Sequence, residues 1–213
     1  MSAEIEVKLN IAAEALRKLL ASPLITEKIV PGSKAVLHLA TTYYDTESLK
    51  LMHSGIAYRV RQNGSKFEAT IKTDKEVHGG VSCRNEYNID LPDAEPVLHG
   101  FDKEGFSGNL PKIMAGEPLK KLFTVSVERK VCLLKITEAT TLELAVDNGK
   151  ITARNGKESP INETELEIKK GSKEDLLAYV EAIAAYVPVS GEERSKYERG
   201  MSLCGVQLKR PAK

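Results

Sequence analysis

Charged and apolar residues alternate with a period of two in several stretches of this chain. In the segment AEIEVKL at positions 3–9, Glu4, Glu6 and Lys8 alternate with apolar residues, and the segment ETELEIK at positions 163–169 repeats the pattern. A period of two is that of a β-strand, in which successive side chains point to opposite faces of the sheet. Both segments therefore predict strands with one charged face and one apolar face.

Similar patterns predict the remaining elements. Asn63 and Gly64 stand between two alternating runs, which is a strong hairpin signal. Further turns are expected at Asn148-Gly149 and at Asn155-Gly156. Strands are predicted at 34–42, 57–62, 66–73, 82–91, 122–137, 141–154 and 161–169, helices at 11–21 (capped by Asn10), 47–52, 172–186 (capped by Ser172) and 195–204, and a connecting region at 92–118.

These elements indicate an α+β fold built around a closed sheet. The chain of 213 residues fits a single domain spanning residues 1–213. Eight antiparallel strands, about the number predicted, can close into a barrel whose interior holds side chains or one small ligand. We therefore expect an eight-stranded antiparallel β-barrel, or tunnel, with flanking helices.

The balance of charge excludes some partners. Lys and Arg number 31 and Asp and Glu number 30, so the net charge is +1, and no overall field recruits nucleic acid or a membrane. The three cysteines are odd in number and far apart, which is typical of reduced thiols in the cytoplasm. No secretory signal or membrane-spanning run is evident. We expect a cytoplasmic monomer or homodimer that binds a small molecule.

The charged strand faces predict a binding site if they meet inside the barrel. The acidic set is Glu4, Glu6, Glu165 and Glu167, and the basic set is Arg59, Arg61, Lys72 and Arg84. Several carboxylates in one place either take up protons or hold a cation, and an all-oxygen ligand set suits Mg²⁺ or Mn²⁺. Guanidinium and ammonium groups beside such a metal would bind a polyphosphate.

An alternative interpretation places the same charges on the outside of the sheet. They would then pair with one another across exposed strands, each pair contributing only ~0–1 kcal/mol. The opposite faces, which carry residues such as Ile5, Val60 and Leu166, would form the core. Alternation alone does not separate this arrangement from a barrel whose apolar faces pack against outer helices.

Short motifs follow one another along nearly the whole chain. They are 4–8 (EIEVK), 43–46 (YYDT), 58–61 (YRVR), 70–72 (TIK), 84–87 (RNEY), 127–129 (VER), 144–149 (LAVDNG), 163–169 (ETELEIK) and 195–200 (SKYERG). Together they resemble the motifs of CYTH-domain proteins, the triphosphate tunnel metalloenzymes, whose ExExK signature is similar to residues 4–8. ExExK alone is weakly specific, whereas this many elements in the family's order, over nearly the whole chain, are strongly specific.

The resemblance implies a tunnel that binds a triphosphate and hydrolyses or cyclises it. Metal ions would be held by Glu4, Glu6, Asp147, Glu165 and Glu167. Phosphates would be bound by Lys8, Arg59, Arg61, Lys72, Arg84, Arg129 and Lys196. Glu4, Glu6 and Lys8 would form the catalytic centre, supported by Glu86 and Glu163. Because Glu163, Glu165 and Glu167 share one strand face, the choice of the two that ligate metal stays open.

We therefore expect an Mg²⁺- or Mn²⁺-dependent inorganic triphosphatase that converts tripolyphosphate to diphosphate and phosphate. Tryptophan is absent and aromatic residues make up only 5% of the chain, so surfaces for stacking a nucleobase are few. The alternatives are a class IV-type adenylate cyclase, a thiamine triphosphatase, and a non-catalytic module that binds polyphosphate or nucleotide. Tyr43 and Tyr44 are expected to be structural strand aromatics.

Overall fold

The strands form one antiparallel sheet that closes on itself. The computed structural model describes residues 2–78, 81–191 and 194–208. The sheet runs β5-β4-β3-β2-β6-β7-β8-β1, β1 also pairs with β5, and the short β9 adds to β1. The strands are β1 Ser2–Asn10, β2 Ala35–Asp45, β3 Ala57–Asn63, β4 Lys66–His78, β5 Val81–Leu91, β6 Lys120–Lys135, β7 Thr141–Ala153, β8 Glu158–Lys170 and β9 Ser190–Gly191. The predicted eight-stranded barrel is confirmed.

Helices flank the barrel. They are α1 Ala13–Leu20, α2 Pro23–Thr26, α3 Lys50–His53, α4 Leu110–Met114, α5 Lys173–Tyr186 and α6 Lys196–Leu203, with a 3₁₀ turn at Phe101–Glu104. In the described residues, no helix has the length and apolar character needed to cross a bilayer. The side chains of Ser172 and Ser195 accept hydrogen bonds from the first turns of α5 and α6, which satisfies backbone donors that would otherwise lack partners.

Two predicted helix starts are wrong for local reasons. Asn10 does not cap α1, because it continues β1 and pairs with Ser190 of β9. The helix expected from residue 47 begins only at Lys50. The buried carboxylate of Asp45 accepts hydrogen bonds from the backbone N–H groups of Leu51 and Met52, both at 2.9 Å. This buried carboxylate therefore satisfies backbone N–H groups in the first turn of α3 that would otherwise lack partners.

The turn predicted at Asn148-Gly149 is also wrong, because β7 runs straight through it. Gly149 pairs with Val127 of β6, and a Cβ atom on Gly149 would lie 2.0 Å from the carbonyl oxygen of Ser126. The glycine therefore permits the close approach of two strands, which is a recognised role of glycine within a sheet. The chain reverses later, at Gly156, whose φ is +80°.

The apolar faces of the strands point outward and are covered. Leu144 of β7 and Leu166 of β8 pack with Leu176 and Ile183 of α5 in one buried cluster. A second cluster joins the outer faces of β3, β4 and β5 to the segment that contains α4. A third differs, because it lies on the inner faces of β2, β6 and β7, with the strand parity of Arg129, and packs against α6. Because successive strand residues alternate between faces, the outward packing of the first two clusters turns the charged faces toward the barrel interior.

Candidate active site

The barrel interior contains a cavity of about 200 Å³ that is lined mainly by charged side chains. The charged lining residues are Glu4, Glu6, Lys8, Arg59, Arg61, Glu68, Lys72, Arg84, Glu86, Arg129, Glu143, Glu165, Glu167, Lys169 and Lys196. Residues from opposite ends of the chain meet there because β1 lies between β5 and β8. The alternative that placed the predicted acidic and basic sets on the outer surface is wrong.

Strands β3, β4 and β5 carry what we call the basic wall: Arg59, Arg61, Lys72 and Arg84. Lys72 Nζ lies 2.8 Å from Glu4 Oε2 and 2.9 Å from Glu86 Oε1, and Arg59 donates to the same Glu86 oxygen at 3.0 Å. Glu86 thus fixes two of the basic side chains. Burial alone would raise the pKa of Glu4, but Lys72 and Arg84 outweigh it and lower that pKa to about 2.

The basic wall has hydrogen-bond donors that are not satisfied within the protein. Arg59 Nε and Arg84 Nε are buried and have no hydrogen-bond partner, although Arg84 Nε lies 3.5 Å from Glu4 Oε2 in a long ion pair. Arg61 donates to Thr41 Oγ1 at 3.1 Å, and no ion pair is recorded for it among the residues the structure describes. Burial, together with the like charges of Arg59 and Arg129, lowers the pKa of Arg61 to about 10. An anion in the cavity would accept hydrogen bonds from the unsatisfied Nε donors and would neutralise the charge of Arg61.

Strands β1, β7 and β8 carry what we call the acidic wall: Glu6, Glu143, Glu165 and Glu167. Lys8 Nζ lies between two of these carboxylates, 2.7 Å from Glu6 Oε1 and 2.6 Å from Glu165 Oε1. Arg129 and Lys196 also contact Glu165, at 2.7 and 2.8 Å. Burial opposes the charge on Glu165, yet these cations hold its pKa well below the usual range.

Three carboxylates of the acidic wall form a row across neighbouring strands. Glu6 pairs with Glu167 between β1 and β8, and Glu167 pairs with Glu143 between β8 and β7. Burial raises the pKa of Glu167, and although Lys169 opposes this shift, Glu4 and Glu143 add to it. Like charges directly opposite one another destabilise a sheet, so this row favours a cation.

Asp147 and Glu163 lie behind the acidic wall. The side chain of Asp147 is fully buried and accepts both donors of Arg129 at 2.7 Å, while Lys196 Nζ lies 2.9 Å from it. Glu163 accepts from Lys196 at 2.6 Å and from Arg199. Asp147 is absent from the described residues that line the cavity, so its assignment as a metal ligand stays a prediction, as does the supporting role of Glu163.

The sequence reasoning missed several lining residues. Glu143 shares strand parity with Asp147 in the segment TLELAVD, and this parity could have identified it. Lys169 likewise shares parity with Glu165 and Glu167. Tyr43 is a packed strand aromatic, as expected, with its ring 4.7 Å from that of Phe123, but it also lines the cavity.

Comparison with known proteins places this chain in a family. The sequence profile of the CYTH domain matches residues 2–201. The chain belongs to the CYTH domain family. Membership in this family of triphosphate tunnel metalloenzymes implies a requirement for a divalent metal.

Individual relatives agree with this assignment. The inorganic triphosphatase of Haemophilus influenzae is 30% identical over 209 residues, which cover 98% of this chain and 57% of that protein. The chain therefore spans only a little over half the length of this curated relative. The structure of a Hippeastrum adenylyl cyclase candidate with a dominant triphosphatase activity matches with a TM-score of 0.61 at 16% identity, covering 96% of this chain and 97% of the other. An adenylate cyclase candidate from Bacillus halodurans matches with a TM-score of 0.56 at 19% identity, covering 93% and 98%. These structural matches support the CYTH barrel fold.

The CYTH cavity has the donor chemistry that a hard divalent cation needs. Glu4, Glu6, Glu165 and Glu167 offer carboxylate oxygens, the ligands that Mg²⁺ and Mn²⁺ prefer. Among the described residues, no three His, Cys, Asp or Glu side chains converge closely enough to hold a metal ion. Ammonium groups lie between the carboxylates instead, as Lys8 does between Glu6 and Glu165. The residue types fit a metal, and these lysines would have to move when it binds.

Proposed function

We propose that this chain hydrolyses tripolyphosphate to diphosphate and phosphate with Mg²⁺ or Mn²⁺ as its metal. The observation that carries the proposal is the pairing, in one cavity, of unsatisfied guanidinium donors with a row of carboxylates. The basic wall favours an anion and the acidic wall favours a cation, so no single simple ion suits both. A polyanion that carries a divalent cation would satisfy both walls at once.

The basic residues would bind and orient the phosphates. The basic wall would contact phosphate oxygens through the Nε groups of Arg59 and Arg84, which have no hydrogen-bond partner among the described residues, and through the guanidinium of Arg61, which donates to Thr41. Lys72, Lys8, Arg129 and Lys196 would do so from around the cavity. The pKa of Lys8 is raised, because Glu165 and Glu6 outweigh its burial. Lys8 therefore stays protonated and supplies charge rather than acting as a base.

The carboxylates would hold the metal and position the attacking water. We assign Glu4, Glu6, Glu165 and Glu167 as ligands, with Asp147 behind them as a further predicted ligand. A bound divalent ion there would neutralise phosphate charge and acidify water. Glu6, only 5% exposed, would orient a water for in-line attack on the terminal phosphorus. The new bond joins the water oxygen to that phosphorus, and the bridging P–O bond breaks so that diphosphate leaves with its electron pair. One proton of the water stays on the phosphate product and the other is released to solvent. Glu86 and Glu163 would keep their basic partners aligned.

The lining favours an inorganic substrate over a nucleotide. Tyr43 and Tyr197 are the only aromatic residues among the described lining residues. Tyr43 is stacked on Phe123 and lies 5.6 Å from the Tyr197 ring, so these faces are already in contact with protein. A nucleobase would gain little stacking energy. We further propose that residues 1–213 act as one domain, in a cytoplasmic monomer or homodimer.

Phosphate release measured side by side on tripolyphosphate, ATP and thiamine triphosphate tests this function. We expect tripolyphosphate to be turned over fastest, with Mg²⁺ or Mn²⁺ required and EDTA abolishing activity. Faster turnover of ATP or of thiamine triphosphate would overturn the substrate assignment. Formation of cyclic AMP without phosphate release would identify a cyclase instead. Binding without any turnover would identify a non-catalytic module.

A further inference from the structure

Glu143 faces the cavity although no motif pointed to it. It is the cross-strand partner of Glu167, and it lines the cavity with the predicted carboxylates. Its side chain is 23% exposed and that of Glu167 is 26% exposed. The pair therefore lies in the more accessible part of the acidic wall, since the side chains of Glu6 and Glu165 are only 6% and 9% exposed.

Lys169 places a positive charge against this pair. Its Nζ lies 2.8 Å from Glu167 Oε1 and 3.7 Å from Glu143 Oε1. The lysine is itself 39% exposed, so its ion pairs are partly solvated and contribute little to stability. A divalent ion at a similar distance would interact about twice as strongly with the same carboxylates. The ammonium thus occupies a place that a divalent cation would fill better.

We propose that Glu143 is a positioning residue for the catalytic cation and that Lys169 competes with that cation for the same carboxylates. Glu143 adds negative charge beside Glu167, which strengthens cation binding in this part of the cavity. Lys169 holds Glu167 and Glu143 together while the metal is absent and swings toward solvent when it binds. The inference deepens the proposed function, because it concerns the cation of that same site.

Binding of Mn²⁺ to the full chain without substrate, measured from the free-Mn²⁺ signal in electron paramagnetic resonance, tests the proposal. We expect Glu143→Gln to weaken Mn²⁺ binding about tenfold, a typical effect of residues that support metal ligands. We expect Lys169→Gln to tighten it by up to about fivefold. In the double variant the change in Mn²⁺ affinity should differ from the sum of the two single effects, because the two residues interact.

Matched controls lie on the outer surface of β6. Glu128 and Lys130 form an exposed pair at 3.4 Å, so Glu128→Gln and Lys130→Gln remove the same charges from the same kind of element. Neither control should change Mn²⁺ binding. If the controls changed the Mn²⁺ affinity by equal amounts, the effects would come from the net charge of the protein, and the proposal would be overturned.

A purely structural role for Glu143 would give a different pattern. Glu143→Asp should retain most of the Mn²⁺ affinity that Glu143→Gln loses. The thermal midpoint of the metal-free protein should change little in both Glu143 variants. Unchanged Mn²⁺ affinity in Glu143→Gln, or weaker binding in Lys169→Gln, would overturn the inference. Because no substrate is present, these results do not depend on whether the chain hydrolyses tripolyphosphate.

Discussion

The basic and acidic walls of the cavity differ in how their charges are neutralised. On the basic wall, Arg61 lacks an ion pair in the described residues, and Arg59 and Arg84 retain unsatisfied donors. On the acidic wall, Glu165 contacts three cations, and the row of Glu6, Glu167 and Glu143 places like charges side by side. The basic wall therefore needs an anion, whereas the acidic wall needs stronger cations than lysine.

This difference explains why one cavity holds so many charges. Buried ions are costly unless they are well paired, and a barrel that only needed stability would have apolar residues at these positions. One wall has incompletely neutralised positive charge and the other has incompletely neutralised negative charge. This arrangement is expected of a site that binds a metal and a polyanion together. The predictions remove a charge from one wall or protonate Glu4, which contacts Lys72 of the basic wall.

The largest effect is expected on the acidic wall. Glu6→Gln keeps the shape of the side chain and removes a charge that we assign to both metal binding and water orientation. Phosphate release from tripolyphosphate should fall by about 10²–10³-fold, as when one stabilising group is removed from an active site. The exposed carboxylate of Glu14 on α1 provides the control, and Glu14→Gln should retain full activity. Near-normal activity in Glu6→Gln would contradict its assigned role.

A smaller effect is expected on the basic wall. Arg61→Ala should weaken binding of tripolyphosphate about 10–100-fold, because hydrogen bonds to charged groups contribute about 1.5–3 kcal/mol each. Its guanidinium lacks an ion pair among the described residues, so the unliganded protein should be no less stable without it. Calorimetric titration and thermal unfolding check the two parts, with exposed Arg17→Ala as the control. Unchanged affinity, or strong destabilisation of the free protein, would show that Arg61 is structural.

The smallest effect concerns acid stability. The pKa of Glu4 is about 2 in the folded protein against an ordinary value of 4.5. A carboxyl whose folded pKa is depressed stabilises the fold above its unfolded pKa. Metal-free protein should therefore lose about 1–2 kcal/mol of unfolding free energy from this group as pH falls from 4.5 toward 2. Urea unfolding should show a shallower pH dependence in Glu4→Gln, and an identical dependence in both proteins would contradict the prediction.

Strand parity, together with the resemblance to CYTH-domain proteins, predicted the barrel and most of its lining. Glu4, Glu6 and Lys8 lie on one face of β1 because their positions differ by two, and the same rule brought Arg59 and Arg61 to the interior. Parity was harder to interpret where a charge stood alone, as Glu143 does among apolar neighbours on β7. The sequence also predicted that Asp147 would be a ligand.

The assignment of Asp147 as a ligand stays a prediction, but contacts between neighbouring strands lay beyond the sequence pattern. Asp147 has the inward parity of Glu143, yet Arg129 lies against it with two hydrogen bonds, and no spacing rule encodes that contact. Gly149 carries the sequence signal of a turn, but the close approach of β6 explains it. Both features depend on how neighbouring strands lie against each other, which a single strand's pattern does not contain.

The central claim is that the two walls are satisfied together by a polyanion and a divalent cation. Calorimetric titration of a non-hydrolysable imido analogue of tripolyphosphate, with and without Mn²⁺ and corrected for Mn²⁺–analogue association in solution, tests it directly. Binding of the analogue should be at least tenfold tighter with Mn²⁺, and linkage requires that the analogue tighten Mn²⁺ binding by the same factor. Equal affinity for the analogue with Mn²⁺ and with EDTA would contradict the account.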